Sequence, residues 1–132
     1  MSNLDTIKDM YDAFGRGDVE AILAVVTDDV DWATDAASPS APWYGPRHGK
    51  DGVRGFFAGV GQAGPVTDFT PLAFGTNDDG DVFAFIRYAF TASDTGRQVS
   101  MNLHHYWRFR DGKVCFVRSS EDTAQVAAAL AA

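Results

Sequence analysis

The sequence predicts an α+β fold, with helices at the start of the chain and antiparallel strands after them. The first observation is the stretch 97–122, which reads as two long strands joined by a tight turn at Arg110-Asp111-Gly112. Apolar residues take alternate positions of the first strand, the period typical of a half-buried strand: Val99, Met101, Leu103, Trp107 and Phe109. The second observation is an apolar stripe at helical spacing, formed by Leu4, Ile7, Tyr11 and Phe14.

Length and composition narrow the class of protein. The 132 residues suit one domain spanning 1–132. A formal net charge of −7 argues against a nucleic-acid partner and against an anionic membrane surface, because both need a basic face. No apolar run approaches the ~20 residues that span a bilayer. The N-terminal sequence MSNLDTIKDM lacks the pattern of a secretory signal, and Cys115 has no partner for a disulfide, so we expect a cytoplasmic protein.

Two short helices open the chain. Ser2 is the predicted N-cap of a helix that begins at Asn3 and ends at Gly15 or Gly17. Asp18 caps the second helix, whose predicted inner face consists of Val19, Ile22, Leu23 and Val26. A turn at Asp28-Asp29 then leads into a short strand, Val30–Thr34.

The segment Ala36–His48 is predicted to be a loop, because its three prolines exclude a helix and a central strand. Trp43 and Tyr44 lie in its middle. Aromatic residues in such a loop either form a lid over an apolar ligand or cover the end of the core, and the sequence leaves both open.

The remaining elements follow from periodicity and from turn residues. They are a helix over Gly49–Val60, a strand over Val66–Phe74 that Pro71 bends or places at an edge, a strand over Val82–Thr91, and a helix over Thr123–Leu130 capped by Asp122. Even positions of the strand Val82–Thr91 are all apolar or aromatic: Val82, Ala84, Ile86, Tyr88 and Phe90.

His105 lies within the apolar row of the long strand, so we expect an imidazole on the buried face. The turn that follows decides which residues of the last strand join it. A two-residue turn pairs Phe109 with Val114 and puts Phe116, Arg118 and Ser120 on that face. A three-residue turn pairs Phe109 with Lys113 and puts Cys115, Val117, Ser119 and Glu121 there instead. Periodicity alone does not choose between them.

The helical hairpin, the segment WYGPRHGKDGVRGFF and the ending TGRQVSMNLHHYWRFRDGKVCFVRSSEDTAQVAAAL resemble the SnoaL-like branch of the nuclear transport factor 2 superfamily. The resemblance covers nearly the whole chain. It implies a cystatin-like cone, in which a curved antiparallel sheet is wrapped by N-terminal helices and encloses an apolar cavity. Ketosteroid isomerase and limonene epoxide hydrolase belong to the same superfamily, so the fold alone does not define a reaction.

The resemblance implies the three-residue turn and a set of cavity residues. Residues expected inside the cavity or at its mouth are Trp32, Thr34, Trp43, Tyr44, Phe56, Ile86, Tyr88, Phe90, Met101, Leu103, His105, Ser119 and Glu121. The outer face of the sheet, which commonly forms a dimer in the superfamily, would carry Tyr106, Arg108, Phe116 and Arg118, so a homodimer is expected.

The catalytic patterns of the superfamily are only partly present. An epoxide hydrolase needs an inward Arg and two Asp, but Ile86, Tyr88 and Ser119 stand at those places. The pattern of the SnoaL-like cyclases is a His and an Asp fourteen residues apart. In this sequence His105 matches the His, and Ser119 stands at the place of the Asp. Trp32 and Thr34 do not supply the base of a ketosteroid isomerase, although Asp35 could if the strand were displaced.

Three functions therefore stay open. His105 can act as a general base next to a carbonyl, with Tyr88 donating to the oxyanion and Glu121 assisting, which defines an isomerase or cyclase without a cofactor. Alternatively, the cavity binds a small apolar or aromatic molecule without catalysis, and His105 is a core histidine bonded to Tyr88 or to a backbone carbonyl. The third hypothesis is a protein-interaction domain that uses the outer face.

Other sites are less favoured. The three histidines lack Cys or carboxylate partners at zinc-like spacings, so no metal is expected. Arg118 and Asp122 resemble an Arg and Asp that recur in SnoaL-like endings, and we expect an ion pair that holds the last helix.

Overall fold

The computed structural model describes residues 2–132, which form four helices and six strands. The helices are α1 (Asn3–Gly15), α2 (Val19–Leu23), α3 (Gly49–Ala63) and α4 (Thr123–Leu130). The strands are β1 (Val26–Thr34), β2 (Gly45–His48), β3 (Val66–Thr76), β4 (Val82–Thr91), β5 (Gln98–Arg110) and β6 (Lys113–Ser120).

The strands form one curved, open sheet in the order β2-β1-β6-β5-β4-β3. This mixed architecture confirms the predicted α+β class and the curved sheet with helices. One expectation needs correction, because the sheet is not antiparallel throughout: β1 runs parallel to β6, and Trp32 pairs with Val117. No helix among residues 2–132 is both long and apolar enough to cross a bilayer.

Two boundaries differ from the sequence-based prediction around β1. Val26 was expected in the second helix but begins β1, where it pairs with Val114 and is fully buried. The pairing with β6 therefore replaces a further helical turn. Residues Gly45–His48, predicted as loop, form the strand β2 on β1. Pro46 is tolerated there because β2 is an edge strand.

Helix α3 is longer than predicted and ends at Ala63. Its glycines pack against the segment that precedes the helix. A Cβ added to Gly59 would lie 2.8 Å from the carbonyl oxygen of Pro42, and one added to Gly55 would lie 2.7 Å from Arg47 Nη1. These glycines therefore let the proline-rich loop and β2 lie directly on α3, which brings Trp43 over the core.

The turn between β5 and β6 combines the two predicted alternatives. Phe109 pairs with Val114, and Asp111 and Gly112 form a two-residue turn with φ values of 53° and 79°. The three-residue turn implied by the resemblance is therefore wrong. Register then shifts between Phe109 and Arg108, since Cys115 is an extra residue in β6.

This bulge moves the rest of β6 to the other face. Beyond Cys115, Trp107 pairs with Val117 and His105 pairs with Ser119. Val114 and Val117 are both buried although they are three residues apart. The inner face of β6 therefore carries Val117 and Ser119, as the resemblance implied, although the turn differs.

The predicted alternation of β4 and β5 is confirmed by the burial of their side chains. Even positions of β4, from Val82 to Phe90, are buried. Helix α1 covers this inner face with Ile7, Met10 and Tyr11. The core therefore lies between the concave face of the sheet and the helices α1 and α3.

The predicted ion pair between Arg118 and Asp122 is not formed. Arg118 instead holds Asp31 of β1 through two hydrogen bonds, 3.0 Å between Nη1 and Oδ1 and 3.1 Å between Nη2 and Oδ2. Asp122 caps α4 by accepting from Gln125 N at 3.1 Å. Arg118 and Asp31 lie on neighbouring strands, so their ion pair ties β6 to β1 rather than to α4.

Candidate functional site

A cavity of about 70 Å³ lies between the sheet and the helices. Nine of the residues predicted for the cavity line it: Trp32, Thr34, Trp43, Phe56, Tyr88, Leu103, His105, Ser119 and Glu121. The walls are mainly aromatic and aliphatic, and a few polar groups interrupt them. Such a lining is typical of sites for small molecules, whose orientation is decided by a few polar contacts.

The other four predicted residues lie outside the lining. Ile86 is fully buried, and Phe90 packs behind Trp43 with 5.7 Å between ring centroids. The Met101 sulfur accepts from Asp122 N at 3.4 Å. Tyr44 reaches the cavity only through Glu121, as described below. Asp35 is exposed and does not supply a cavity carboxylate.

His105 is held by a chain of hydrogen bonds that begins at Trp107. Trp107 Nε1–H donates to the hydroxyl of Tyr11 at 3.0 Å, and this hydroxyl lies 2.7 Å from His105 Nδ1. Tyr11 has one hydroxyl proton, and its oxygen accepts from Trp107. The arrangement that uses every group places the Tyr11 proton on the bond to Nδ1, so His105 accepts at Nδ1 and carries its own proton on Nε2.

The surroundings of His105 keep it neutral. Burial, followed by the charge of the neighbouring His104, lowers the pKa of its imidazole from 6.5 to about 4. Within residues 2–132, the hydrogen bond of the ring is the one at Nδ1, Nε2 has no partner, and His105 is among the residues that line the cavity. His105 therefore presents an N–H donor to the cavity at neutral pH.

Glu121 stands at the end of β6, where it meets the proline-rich loop. Its Oε1 accepts from Trp43 Nε1 at 3.2 Å, and its Oε2 accepts from the Tyr44 hydroxyl at 3.0 Å. Burial raises the pKa of the Glu121 carboxyl above its usual value, although both hydrogen bonds act in the opposite direction. The site thus contains a half-buried carboxylate with spare lone pairs as well as a neutral imidazole.

Three hydroxyl groups along the cavity lack partners among residues 2–132. They belong to Thr34, Tyr88 and Ser119, all of which are buried and line the cavity. Burial, followed by the nearby charge of Glu121, raises the pKa of Tyr88, so its hydroxyl stays protonated. Buried polar groups usually have partners. These hydroxyls therefore leave hydrogen-bonding capacity for water or for a ligand.

Sequence reasoning missed the partners of His105. Tyr11 was assigned to the apolar stripe of the first helix, and Trp107 to the core. A hydroxyl in an otherwise apolar stripe was the available signal, because a buried tyrosine usually bonds through its oxygen. The remaining cavity residues that were not predicted are Met10, Phe14, Ile22, Ala33, Phe57, Val60, Phe69 and Val117.

The outer face of the sheet carries a ladder of aromatic rings and guanidinium groups. Phe83 is 42% exposed and stacks on Tyr106 with 5.0 Å between centroids. Arg118 lies 4.1 Å above the ring of Phe116, and Arg108 donates to the Tyr106 hydroxyl at 2.7 Å. This face is therefore partly apolar and already ordered by contacts within the chain.

Comparison with known proteins agrees with this architecture. The sequence profile of the SnoaL-like domain matches residues 7–117, and the chain belongs to this family. No curated protein matches the chain. Its curved open sheet with helices is thus that of a SnoaL-like protein with the nuclear transport factor 2 fold.

Three solved structures show the similarity over the whole chain. A nuclear transport factor 2-like protein of unknown function from Burkholderia pseudomallei is 27% identical, with a TM-score of 0.90 and 100% of both chains covered. A related protein from Burkholderia thailandensis is 25% identical, with a TM-score of 0.87, covering 100% of this chain and 99% of that one. TerC, crystallised with polyporic acid, is 25% identical, with a TM-score of 0.86 and 97% of both chains covered.

Proposed function

We propose that this protein binds a small aromatic molecule that carries a carbonyl oxygen, and that His105 Nε2–H donates to this oxygen. The observation that carries the proposal is the hydrogen-bond chain from Trp107 through Tyr11 to His105 Nδ1. The chain holds the imidazole in one tautomer and directs its remaining donor to the cavity. A carbonyl oxygen accepts such a bond, and aromatic walls make favourable contacts with a flat ring. Because the cavity of about 70 Å³ is smaller than the ~150 Å³ that holds one benzene, its side chains must shift when a ring binds.

Polar groups elsewhere in the cavity support an oxygenated ring over a hydrocarbon. The hydroxyls of Tyr88 and Ser119 can donate to a ligand, and Glu121 can accept from a phenol. A purely apolar ligand would leave these groups without partners, which is unfavourable in a buried site. TerC, which has the same fold, was crystallised with polyporic acid, and this supports a small organic ligand for the cavity.

A catalytic version of this function is favoured by one further observation, the buried carboxylate of Glu121. Its raised pKa makes it a better base than an exposed glutamate, whereas the lowered pKa of His105 makes the imidazole a poor one. Glu121 would take a proton from the carbon next to the carbonyl, and His105 would donate to the enolate oxygen. For a ketone with a β,γ double bond, return of the proton from Glu121 to the γ-carbon of the dienolate moves the double bond into conjugation and completes an isomerisation without a cofactor.

This version changes the role that the sequence suggested for His105. The imidazole would be the donor that polarises the carbonyl, together with Tyr88, and the carboxylate would be the base. Triosephosphate isomerase divides the roles in the same way, with a glutamate as the base and a neutral histidine as the donor.

Binding is tested with 4-hydroxyacetophenone, a one-ring ketone with a phenol. We expect binding to the wild-type protein and an affinity roughly tenfold lower for His105→Ala, because the donor to the carbonyl is lost. Isothermal titration calorimetry at pH 7 measures both dissociation constants.

The matched control is His104→Ala. His104 is adjacent to His105 but lies exposed on the outer face, so this variant is expected to bind like the wild type. Equal affinities for the wild type and His105→Ala would contradict the proposed contact. Absence of binding to the wild type would contradict the proposed ligand class.

We further propose that two copies of the chain associate through the outer face formed by Tyr106, Arg108, Phe116 and Arg118. The exposed ring of Phe83, which stacks on Tyr106, lies on the same face and supports an apolar contact. Phe83 is exposed, whereas Tyr106 and Phe116 are half-buried, and burial against a second copy would remove the rest of these rings from water.

Phe83→Asp is expected to weaken this dimer by roughly tenfold or more, because it places a charge in the interface. Sedimentation equilibrium measures the association constant. The control is Ala58→Asp, which adds the same charge at an exposed position of α3. A monomeric wild type, or a dimer that Phe83→Asp leaves unchanged, would argue against this interface.

A further inference from the structure

The proline-rich loop, residues 36–44, contributes Trp43 to the wall of the cavity but is weakly attached to the rest of the chain. Among residues 2–132, no backbone-to-backbone hydrogen bond joins this loop to a helix or a strand. Its own backbone bond stays within the loop, from Tyr44 N to the Ala41 carbonyl oxygen at 3.2 Å. Segments with few backbone hydrogen bonds to their surroundings are those that open most readily.

Both ends of the loop are fixed to the sheet. Just before it, Asp35 N donates to the Ser119 carbonyl oxygen at 2.9 Å, and just after it, Gly45 pairs with Thr34. The loop therefore leaves and re-enters the sheet at adjacent positions, as compact Ω-shaped loops do. Gly45 has a φ of 97°, which glycine adopts without strain, so the chain has a natural hinge at this end.

The size of the cavity requires that one of its walls moves when a ring enters. The cavity of about 70 Å³ is smaller than the ~150 Å³ that holds one benzene, so it is closed to a ring in this structure. The other walls are the sheet and the helices, whose backbone groups are hydrogen-bonded along each element. Withdrawal of the Trp43 indole with its loop would enlarge the cavity without breaking any of these elements.

Two side-chain hydrogen bonds hold the loop over the cavity, and Glu121 accepts both. Trp43 Nε1–H donates to Oε1 at 3.2 Å, and the Tyr44 hydroxyl donates to Oε2 at 3.0 Å. Hydrogen bonds to a carboxylate are stronger than those between neutral groups. Arg47 also donates to the Pro42 carbonyl oxygen at 2.9 Å, but this contact is exposed, so water can replace it. Opening therefore depends mainly on the two bonds to Glu121.

We propose that residues 36–44 form a lid over the cavity and that Glu121 is its latch. Opening breaks both bonds to Glu121 and withdraws the Trp43 indole, and closure forms them again. The role of the lid in admitting a ligand rests on the proposed function, whereas the opening itself needs no ligand.

The latch is the same carboxylate that serves as the base in the catalytic version. Ionised Glu121 accepts from both loop donors, but once it has taken a proton one oxygen becomes a donor and the acceptor strength falls. The titratable groups around it are Tyr44 of the loop, Tyr88 of β4, His105 of β5 and Asp122 before α4. Both hydroxyls stay protonated and the imidazole stays neutral, so the charge that holds the lid is that of Glu121. Proton transfer to Glu121 would therefore loosen the lid.

Exchange of the indole N–H protons measures the opening without a ligand. The Trp43 N–H is bonded to Glu121 at the lid, whereas the Trp107 N–H is bonded to the Tyr11 hydroxyl in the core at 3.0 Å. Proton–nitrogen NMR in D₂O follows both in one sample, at urea concentrations below the unfolding transition. We expect Trp43 to exchange roughly 100-fold faster than Trp107 and almost independently of urea, because a lid exposes little surface when it opens.

Tyr44→Phe removes one bond of the latch and keeps the ring. We expect it to speed the exchange of the Trp43 N–H roughly tenfold, still independently of urea, because both bonds open together. The control is Ser38→Ala, which removes an exposed hydroxyl of the same loop that donates to Ser40, and it should leave the rate unchanged. A Trp43 rate that rises with urea as the Trp107 rate does would overturn the lid, and so would a Trp43 rate that Tyr44→Phe leaves unchanged.

Stopped-flow fluorescence with 4-hydroxyacetophenone connects the lid to the ligand. Tyr44→Phe is expected to raise the association and dissociation rate constants each by roughly tenfold and to change Kd by less than about twofold, because the lid opens more often for entry and for exit. If the wild type does not bind, the proposed function fails, and indole exchange still decides whether the loop is a lid. If it binds and Tyr44→Phe leaves both rate constants unchanged, the ligand enters elsewhere and the gate is overturned while the proposed function stands.

Discussion

Acidification from pH 7 to pH 4 is expected to destabilise the folded protein by about 3 kcal/mol through His105 alone. The pKa of His105 is about 4 in the folded protein, compared with 6.5 for an unperturbed histidine. Between these values the unfolded chain binds a proton that the folded protein does not bind. The stability is therefore fully present above pH 6.5 and is lost as the pH falls towards 4.

Chemical denaturation of the wild type and of His105→Gln across this range measures the effect. Carboxylates such as Asp31, whose pKa is lowered by the hydrogen bonds from Arg118, also lose stability in acid, so the difference between the two proteins is the informative quantity. This difference should change by about 3 kcal/mol between pH 7 and pH 4.

Glu121 acts in the opposite sense, because its raised pKa contributes stability that is present at low pH and lost as the pH rises through the folded pKa. Repeating the comparison in a Glu121→Gln background removes this contribution. His48→Gln serves as the control, since His48 is exposed and is not among the groups that shift the pKa of His105. A wild type and His105→Gln with parallel pH profiles would mean that the imidazole is solvated and not shielded.

Periodicity was sufficient to predict the bounds of elements that bury only one face. The bounds of β4, Val82–Thr91, and of α4, Thr123–Leu130, agree with the sequence-based prediction. Their apolar residues repeat at one period, and Asp122 marks the start of α4. Val26 was assigned wrongly because a buried valine suits both a helix and a strand, and its pairing with Val114 comes from a strand almost ninety residues away.

The bulge at Cys115 shows what periodicity cannot decide. Val114 and Phe116 favoured one register of β6, whereas Cys115 and Val117 favoured the other. Each indication was correct over part of the strand. The bulge at Cys115 turns the residues after it to the opposite face from the one that the residues before it would predict. A conflict of this kind within one strand is itself a signal of a bulge, and only the packing of Val114 and Val117 in the core locates it.

The site was predictable where it lies on the sheet and less so where helices complete it. His105, Ser119 and Leu103 follow from strand alternation, whereas Tyr11 reaches His105 across 94 residues of sequence. A pattern of neighbouring residues cannot indicate a contact between residues so far apart in the sequence. The role of His105 depends on this contact, because a bond accepted from Tyr11 at Nδ1 keeps the ring proton on Nε2, whereas without that bond either nitrogen can carry the proton.

Glu121→Gln is expected to slow proton exchange next to a bound carbonyl by about 100-fold or more, if the cavity is catalytic in the way proposed. Glutamine keeps the size of the side chain and one acceptor for Trp43 and Tyr44, but it cannot take a proton. The probe is 4-hydroxyphenylacetone in D₂O, and proton NMR follows the loss of its methylene signal. His105→Gln should also slow exchange, because the enolate oxygen loses its donor.

Asp122→Asn is the matched control for this experiment. Asp122 is the neighbouring carboxylate and caps α4, a position that asparagine also suits, so exchange should continue at the wild-type rate. Binding without exchange in the wild type would refute the catalytic version and leave a binding protein that presents a donor to its ligand. Exchange that survives Glu121→Gln would place the base elsewhere. Binding and proton transfer can thus be tested separately. Binding depends on the hydrogen bond from His105, whereas proton transfer also needs the carboxylate of Glu121.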